Sequence, residues 1–167
     1  MGQDGLSLLV SSAIWTRYEP LRELTPDVLR RQLAVGVDAA IWGAQIAQDL
    51  MSSEDGGALV LFGSPVGQLG FHGTTAYSAA KGAIGALTRQ LAMELGAARI
   101  RFNAISPGPI PTVGEEGYRR RIERTPLGHL GAPDHVAAAA LFLASDASRF
   151  VTGQMLCVDG GLSIAGL

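Results

Sequence analysis

Apolar residues fall along this chain in two alternating patterns. Leu6–Val10, Ala58–Phe62, Ile100–Ile105 and Met155–Val158 are brief apolar runs bounded by glycine, proline or aspartate, as in strands covered on both faces of a parallel sheet. Between the first two runs, Thr25-Pro26-Asp27 supplies a helix cap, a proline at the first helical position and an acidic first turn. Leu29, Leu33, Val37, Ile41 and Ala44 then recur at three- and four-residue spacing and predict a long helix to about Met51. Gly36 and Gly43 weaken that helix unless a neighbouring helix packs closely there. Beyond the second run, Thr74 or Thr75 is placed to cap a helix reaching Leu95. The third strand is expected to end at Ser106, where Pro107, Pro109 and Pro111 favour a fixed, extended loop to Thr112. A short charged helix follows, then one opened by Pro133 and running through Val136, Ala140 and Leu143, and Asp159-Gly160-Gly161 turns the chain after the last strand. The alternation predicts one α/β domain over residues 1–167, a right-handed, mostly parallel sheet of four strands with flanking helices.

Composition narrows the partners. A chain of 167 residues with 47% hydrophobic and 17% charged content has enough apolar material for a substantial core. The net charge of −2 offers no general attraction to a phosphate backbone, so nucleic acid is not an expected partner. No stretch approaches a membrane span, and the N-terminus has neither the basic nor the apolar region of an export signal, so a cytoplasmic location is expected. The single cysteine, Cys157, lies in an apolar run and reads as a small buried hydrophobe.

The chemistry is concentrated at Tyr77-Ser78-Ala79-Ala80-Lys81, with Ser64 thirteen residues upstream. Lys81 is the only lysine beside twelve arginines, which points to a position that requires a compact ammonium on a flexible stem. Four residues apart on one helix, Tyr77 and Lys81 share a face. A phenol is a poor acid–base group at neutral pH, and moving its pKa to about 7 takes roughly 4 kcal/mol of preferential stabilisation of the phenolate. The lysine cation and the positive end of the helix are expected to supply that stabilisation. Ser64, at the mouth of the second strand, is placed to hold a carbonyl or hydroxyl with which Tyr77 exchanges a proton. His129, His135 and Cys157 lack metal-ligand spacing and read as scattered structural residues, so no metal is expected. Arg119, Arg120, Arg121 and Arg124 read as a solvated helix face, with a phosphate-bearing substrate such as a thioester of coenzyme A as the alternative; Trp15 and Trp42 read as packing residues, with Trp42 facing a subunit neighbour as the alternative.

Taken together, Ser64, Tyr77-x-x-x-Lys81, Pro107-Gly108-x-Ile110-x-Thr112 and the late Asp159-Gly160-Gly161 resemble the short-chain dehydrogenase/reductase family over essentially the whole chain. The resemblance implies a partial Rossmann-like, doubly wound fold with Tyr77 as general acid/base, Lys81 lowering its pKa and holding a nicotinamide ribose, and Ser64 orienting substrate. It further implies NAD or NADP as cofactor, with Pro107, Gly108, Ile110 and Thr112 at the nicotinamide carboxamide and a mobile lid around residues 117–124. His72 and Phe71 are expected beside the substrate pocket or on the surface. A homodimer or tetramer is implied, with the helices of residues 27–51 and 75–95 at the subunit interface.

Three features depart from the family pattern. Ser11-Ser12-Ala13-Ile14 stands where the family has Asn-Asn-Ala-Gly, leaving small polar residues beside the cofactor. Val35-Gly36-Val37 stands where many members carry an asparagine that supports a proton relay. No glycine-rich dinucleotide turn precedes the Leu6–Val10 run, so that strand would be an apolar edge needing cover from an upstream segment, another chain or a second copy. The leading function is therefore a nicotinamide-dependent interconversion of a small-molecule carbonyl and alcohol. The alternatives are a non-catalytic subunit complemented by a related chain, and a cofactor-free isomerase or dehydratase.

Overall fold

The computed structural model describes residues 5–51, 55–111 and 118–165. Four strands, β1 (Leu8–Ser11), β2 (Gly57–Phe62), β3 (Ile100–Pro107) and β4 (Met155–Val158), form one parallel sheet in the order β1-β2-β3-β4. The helices are α1 (Pro26–Leu33), α2 (Ala39–Leu50), α3 (Thr75–Leu95), α4 (Arg119–Arg124) and α5 (Pro133–Ala144). Helices α2 and α3 cover one face of the sheet, burying Ala40, Ala44, Ile84 and Leu95 against Leu59, Leu61, Phe102 and Ala104. Helix α5 covers the other, where Leu143 meets Val60 and Ile105. The α/β expectation holds.

Several expectations change in detail. Strand β1 starts at Leu8 rather than Leu6, and it is covered on one face only: Leu8 and Val10 are 38% and 43% exposed. Leu9 packs toward α2, whereas α5 reaches β2, β3 and β4 and stops short of the side on which Leu8 and Val10 lie. Strand β3 continues through Ser106 and Pro107, which pair with Cys157 and Val158. Proline is tolerated there because the ladder is closed one residue on, by the Gly108 N–H donating to the Val158 carbonyl at 2.9 Å. Cys157 is exposed, because β4 is the outermost strand. The third crossover also departs from uniform right-handedness: strand order advances in one direction while α5 lies opposite α2 and α3, so its hand is opposite to that of the first two. Its long path from β3 through α4 escapes the tight packing that fixes the hand of short crossovers.

The long predicted helix is α1 and α2 joined by a π-helical stretch, Ala34–Asp38. Thr25 caps it as expected, accepting from the Val28 N–H at 3.4 Å. A Cβ on Gly36 would stand 3.1 Å from that of Ala80, so the glycine does mark a close helix crossing, one residue from Lys81. Thr74 occupies the N-cap position of α3 without capping it: its hydroxyl donates to the Phe71 carbonyl at 2.8 Å and meets the Ser78 hydroxyl at 3.0 Å.

Polar groups at least partly buried secure the far face. Arg101 donates to the Leu143 carbonyl and the Ser148 hydroxyl, both at 2.7 Å, closing the C-terminal end of α5. Asn103 holds the approach to β4, donating to the Val151 carbonyl at 2.9 Å and accepting from the Gln154 N–H at 3.0 Å. No described helix is long and apolar enough to cross a membrane.

Candidate active site

Ser64 leaves β2 on extended backbone, and its hydroxyl accepts from the Val66 N–H at 3.2 Å, shaping a short turn at Pro65–Gly67. That turn lies against α3 so closely that a Cβ on Gly67 would stand 2.7 Å from the Lys81 carbonyl carbon and 2.8 Å from the Gly82 nitrogen. Contact between the two backbones fixes Ser64 relative to the first turns of α3, where Tyr77 and Lys81 are buried. The Ser64 hydroxyl lies within hydrogen-bonding influence of the Tyr77 phenol and favours its ionised form. Two oxygens thus meet at the carboxyl end of a central parallel strand, the end at which open α/β sheets bind their ligands.

Burial and neighbouring hydroxyls set the electrostatics at this point. Burial pushes the Tyr77 phenol above its ordinary value; the Ser64 hydroxyl works in the lowering direction, and the nearby Tyr18 phenol adds to the rise. The Lys81 ammonium lies over the Tyr77 ring and is held by a backbone carbonyl. Its Nζ donates to the Phe62 carbonyl at 2.6 Å and lies 5.9 Å from the centre of the Tyr77 ring. Burial brings Lys81 itself from 10.5 down to about 8.

That shift has a testable sign. Between about pH 8 and 10.5 the folded chain releases the Lys81 proton while the unfolded chain keeps it, so stability rises with pH across this window. The full effect is on the order of 3 kcal/mol at 1.36 kcal/mol per unit. Urea denaturation of wild type and Lys81→Met at pH values of about 7.5 and 9.5 checks it. Any stability advantage of the variant at the lower pH should shrink at the higher one, and a constant difference would show that the lysine is not desolvated.

Of the other residues expected at a cofactor, Ser12, Pro107 and Ile110 converge on one cavity of about 400 Å³, with Phe62, Pro133 and Val136. Ser11 closes β1 half-buried, Ala13 is exposed just beyond, and Gly108 packs against Asp159. Thr112 and Gly117 lie outside the described residues. His72 and Phe71 are exposed on the loop before α3. The arginines of α4 are solvated, and Arg119 pairs with Glu123 at 3.0 Å. His129, His135 and Cys157, scattered in sequence, share the wall of a second cavity of about 620 Å³. No three His, Cys, Asp or Glu side chains are grouped as a ligand set among the described residues. Trp15 lies under the Arg31 guanidinium, 4.8 Å from its ring centre, whereas Trp42 is 59% exposed and is not a packing residue of this chain.

Sequence reasoning missed two contributors. Phe62 joins the two halves of the site, since its carbonyl holds Lys81 and its side chain lines the smaller cavity. Tyr18 stands edge-on to Tyr77, with ring centres 5.4 Å apart. It belongs to a segment with no periodicity, so only the fold brings it there.

A four-stranded parallel sheet with helices on both faces, Ser64 and Tyr77 at the mouth of a central strand and the buried Lys81 one helical turn on make this a Rossmann-like α/β domain. The enoyl-(acyl carrier protein) reductase profile matches residues 3–163. A galactitol 2-dehydrogenase of Cereibacter sphaeroides is 37% identical over 95% of this chain and 66% of its own length. A tropinone reductase homologue of Arabidopsis thaliana is 34% identical over 98% and 56% respectively. The crystal structure of a protein assigned as a short-chain alcohol dehydrogenase from Sinorhizobium meliloti superposes with a TM-score of 0.91 at 30% identity, covering 97% of this chain and 67% of that one. The chain belongs to the short-chain dehydrogenase/reductase family, and it spans 56% and 66% of the length of the two curated relatives named here.

Proposed function

We propose that the protein is a nicotinamide-dependent oxidoreductase that interconverts a ketone or aldehyde and an alcohol. The juxtaposition of Ser64 and Tyr77 carries this reading, because it gathers a hydrogen-bonding group and a proton-exchanging group at the end of the strand whose Phe62 lines a cavity. Ser64 holds the substrate oxygen, and Tyr77 donates a proton to it in reduction or accepts one in oxidation. With its pKa above the ordinary phenol value, Tyr77 is protonated at neutral pH and ready as the acid. Lys81, held by Phe62, is the group that would bind the cofactor's ribose. The cavity around Ser12, Pro107 and Ile110, bounded by Phe62 and Val136, fits a planar ring with a polar edge, and Ser11 and Ala13 flank it. When bound there, NAD or NADP supplies the hydride donor or acceptor. The test is consumption of NADH or NADPH by the full-length protein over a panel of ketones and aldehydes. Consumption with at least one carbonyl compound is expected, and none with either nicotinamide would overturn the reading.

The uncovered side of the sheet favours a further element of the same reading. Among the described residues strand β1 pairs with β2 alone, and Leu8 and Val10 are exposed beside that open edge. We propose that additional strands complete the sheet there, supplied by the same polypeptide or by a partner, since an apolar open edge invites pairing. Helix α2 also presents Trp42, Ile46 and Leu50 to solvent, an apolar face suited to a second subunit. Trp42→Glu is expected to shift the native mass toward a smaller species in light scattering, and an unchanged mass would place the interface elsewhere.

A further inference from the structure

We infer that Tyr18 is a specificity-determining residue, an aromatic wall that selects substrates carrying a flat aromatic ring next to the reacting carbonyl or carbinol carbon. The inference rests on the reading above, that substrate meets Tyr77. The ring of Tyr18 lies 5.4 Å from that of Tyr77 at an interplanar angle of 86°, the edge-to-face arrangement that aromatic pairs prefer. Yet Tyr18 is 60% exposed, so most of its surface is not used in packing.

Its segment is fastened on both sides. On one side, Gln32, itself 1% exposed, donates to the Trp15 carbonyl at 2.6 Å, and the Arg31 guanidinium covers the Trp15 ring. On the other, the Glu19 N–H donates to the Gly73 carbonyl at 2.9 Å, and the Glu19 carboxylate pairs with Arg17 at 2.7 Å. The Glu19–Gly73 bond also ties this segment to the loop that carries the exposed Phe71. A segment held at residues 15 and 19 presents the ring at 18 in a fixed orientation, so a ligand ring can stack against it with little further ordering. Its proximity to the reacting phenol is also electrical, since Tyr18 is one of the groups that raise Tyr77. An aliphatic chain would gain area against Tyr18 but not the ring–ring term.

The test is a ligand-observed NMR titration of the full-length protein with two probes, acetophenone and methyl hexyl ketone, against wild type, Tyr18→Ala and Tyr18→Phe. Tyr18→Ala is expected to weaken acetophenone by about tenfold and the straight-chain ketone by much less, so that the affinity ratio collapses, while Tyr18→Phe keeps the ratio. Equal weakening of both ketones by Tyr18→Ala, or no weakening, overturns the inference, as does a Tyr18→Phe protein that behaves like the alanine variant. In turnover, the same preference is expected in KM rather than kcat. Because binding is read without turnover, ring selectivity can hold or fail independently of the nicotinamide assay, so the two readings fail separately.

Discussion

Tyr77→Phe is expected to lower kcat/KM for carbonyl reduction by about 100- to 10,000-fold while leaving the fold unchanged, the range for loss of a positioned general acid. The substitution removes one oxygen. The ring remains in its buried position at the start of α3, and the edge-on contact with Tyr18 is kept, so thermal unfolding should move little. Ser64 loses a neighbouring hydroxyl but still accepts from the Val66 N–H, so the loop before α3 keeps its turn. The pH dependence of the wild type follows from the same group. Reduction uses the protonated phenol and should hold through neutral pH, falling only as the phenol ionises. Oxidation uses the phenolate and should rise with pH, because Tyr77 lies above its ordinary value. Near-normal turnover by the phenylalanine variant would remove Tyr77 from the mechanism.

The second large effect is expected at a residue with no chemistry of its own. A methyl group on Gly67 would stand 2.7 Å from the Lys81 carbonyl carbon and 2.8 Å from both the Lys81 oxygen and the Gly82 nitrogen. All three are backbone atoms of a buried helix, and none can turn aside as a side-chain tip would. The loop must therefore lift away from α3, and Ser64 moves with it. Gly67→Ala should cost about 1–3 kcal/mol of stability, as overpacking does. It should also cost roughly 100-fold in kcat/KM, because a displacement near 1 Å is enough to misalign a reacting pair. Urea denaturation and steady-state kinetics on one preparation check both parts, and full activity would show that the Ser64 loop is not held by this contact.

What was legible in the sequence was local. Four apolar runs with glycine and proline at their ends become four parallel strands, Thr25-Pro26-Asp27 opens a helix, and Tyr77 and Lys81 share a face of α3, since each depends on residues within a few positions of one another. What was not legible depended on partners far along the chain. An apolar residue reads alike whether an element covers it or not, so Leu8, Val10, Trp42 and Cys157 were expected inside and lie exposed. The direction of the Tyr77 shift is set first by burial, which depends on residues far along the chain, and the Lys81 ammonium finds its acceptor at the Phe62 carbonyl nineteen residues away. The part played by Gly67 was not legible because the helix it touches is not its neighbour in sequence. Tyr18 reaches Tyr77 only through the fastening of residues 15–19 to Gln32 and Gly73.

The most direct measurement is the fate of a deuterium label on reduced nicotinamide when the full-length protein reduces a ketone. Mass spectrometry of the alcohol should find deuterium on the carbinol carbon with the wild type, and no measurable product with Tyr77→Phe in the same interval. Product formed without any nicotinamide, or carrying hydrogen from solvent at that carbon, would contradict the account and indicate proton-transfer chemistry of the isomerase or dehydratase kind.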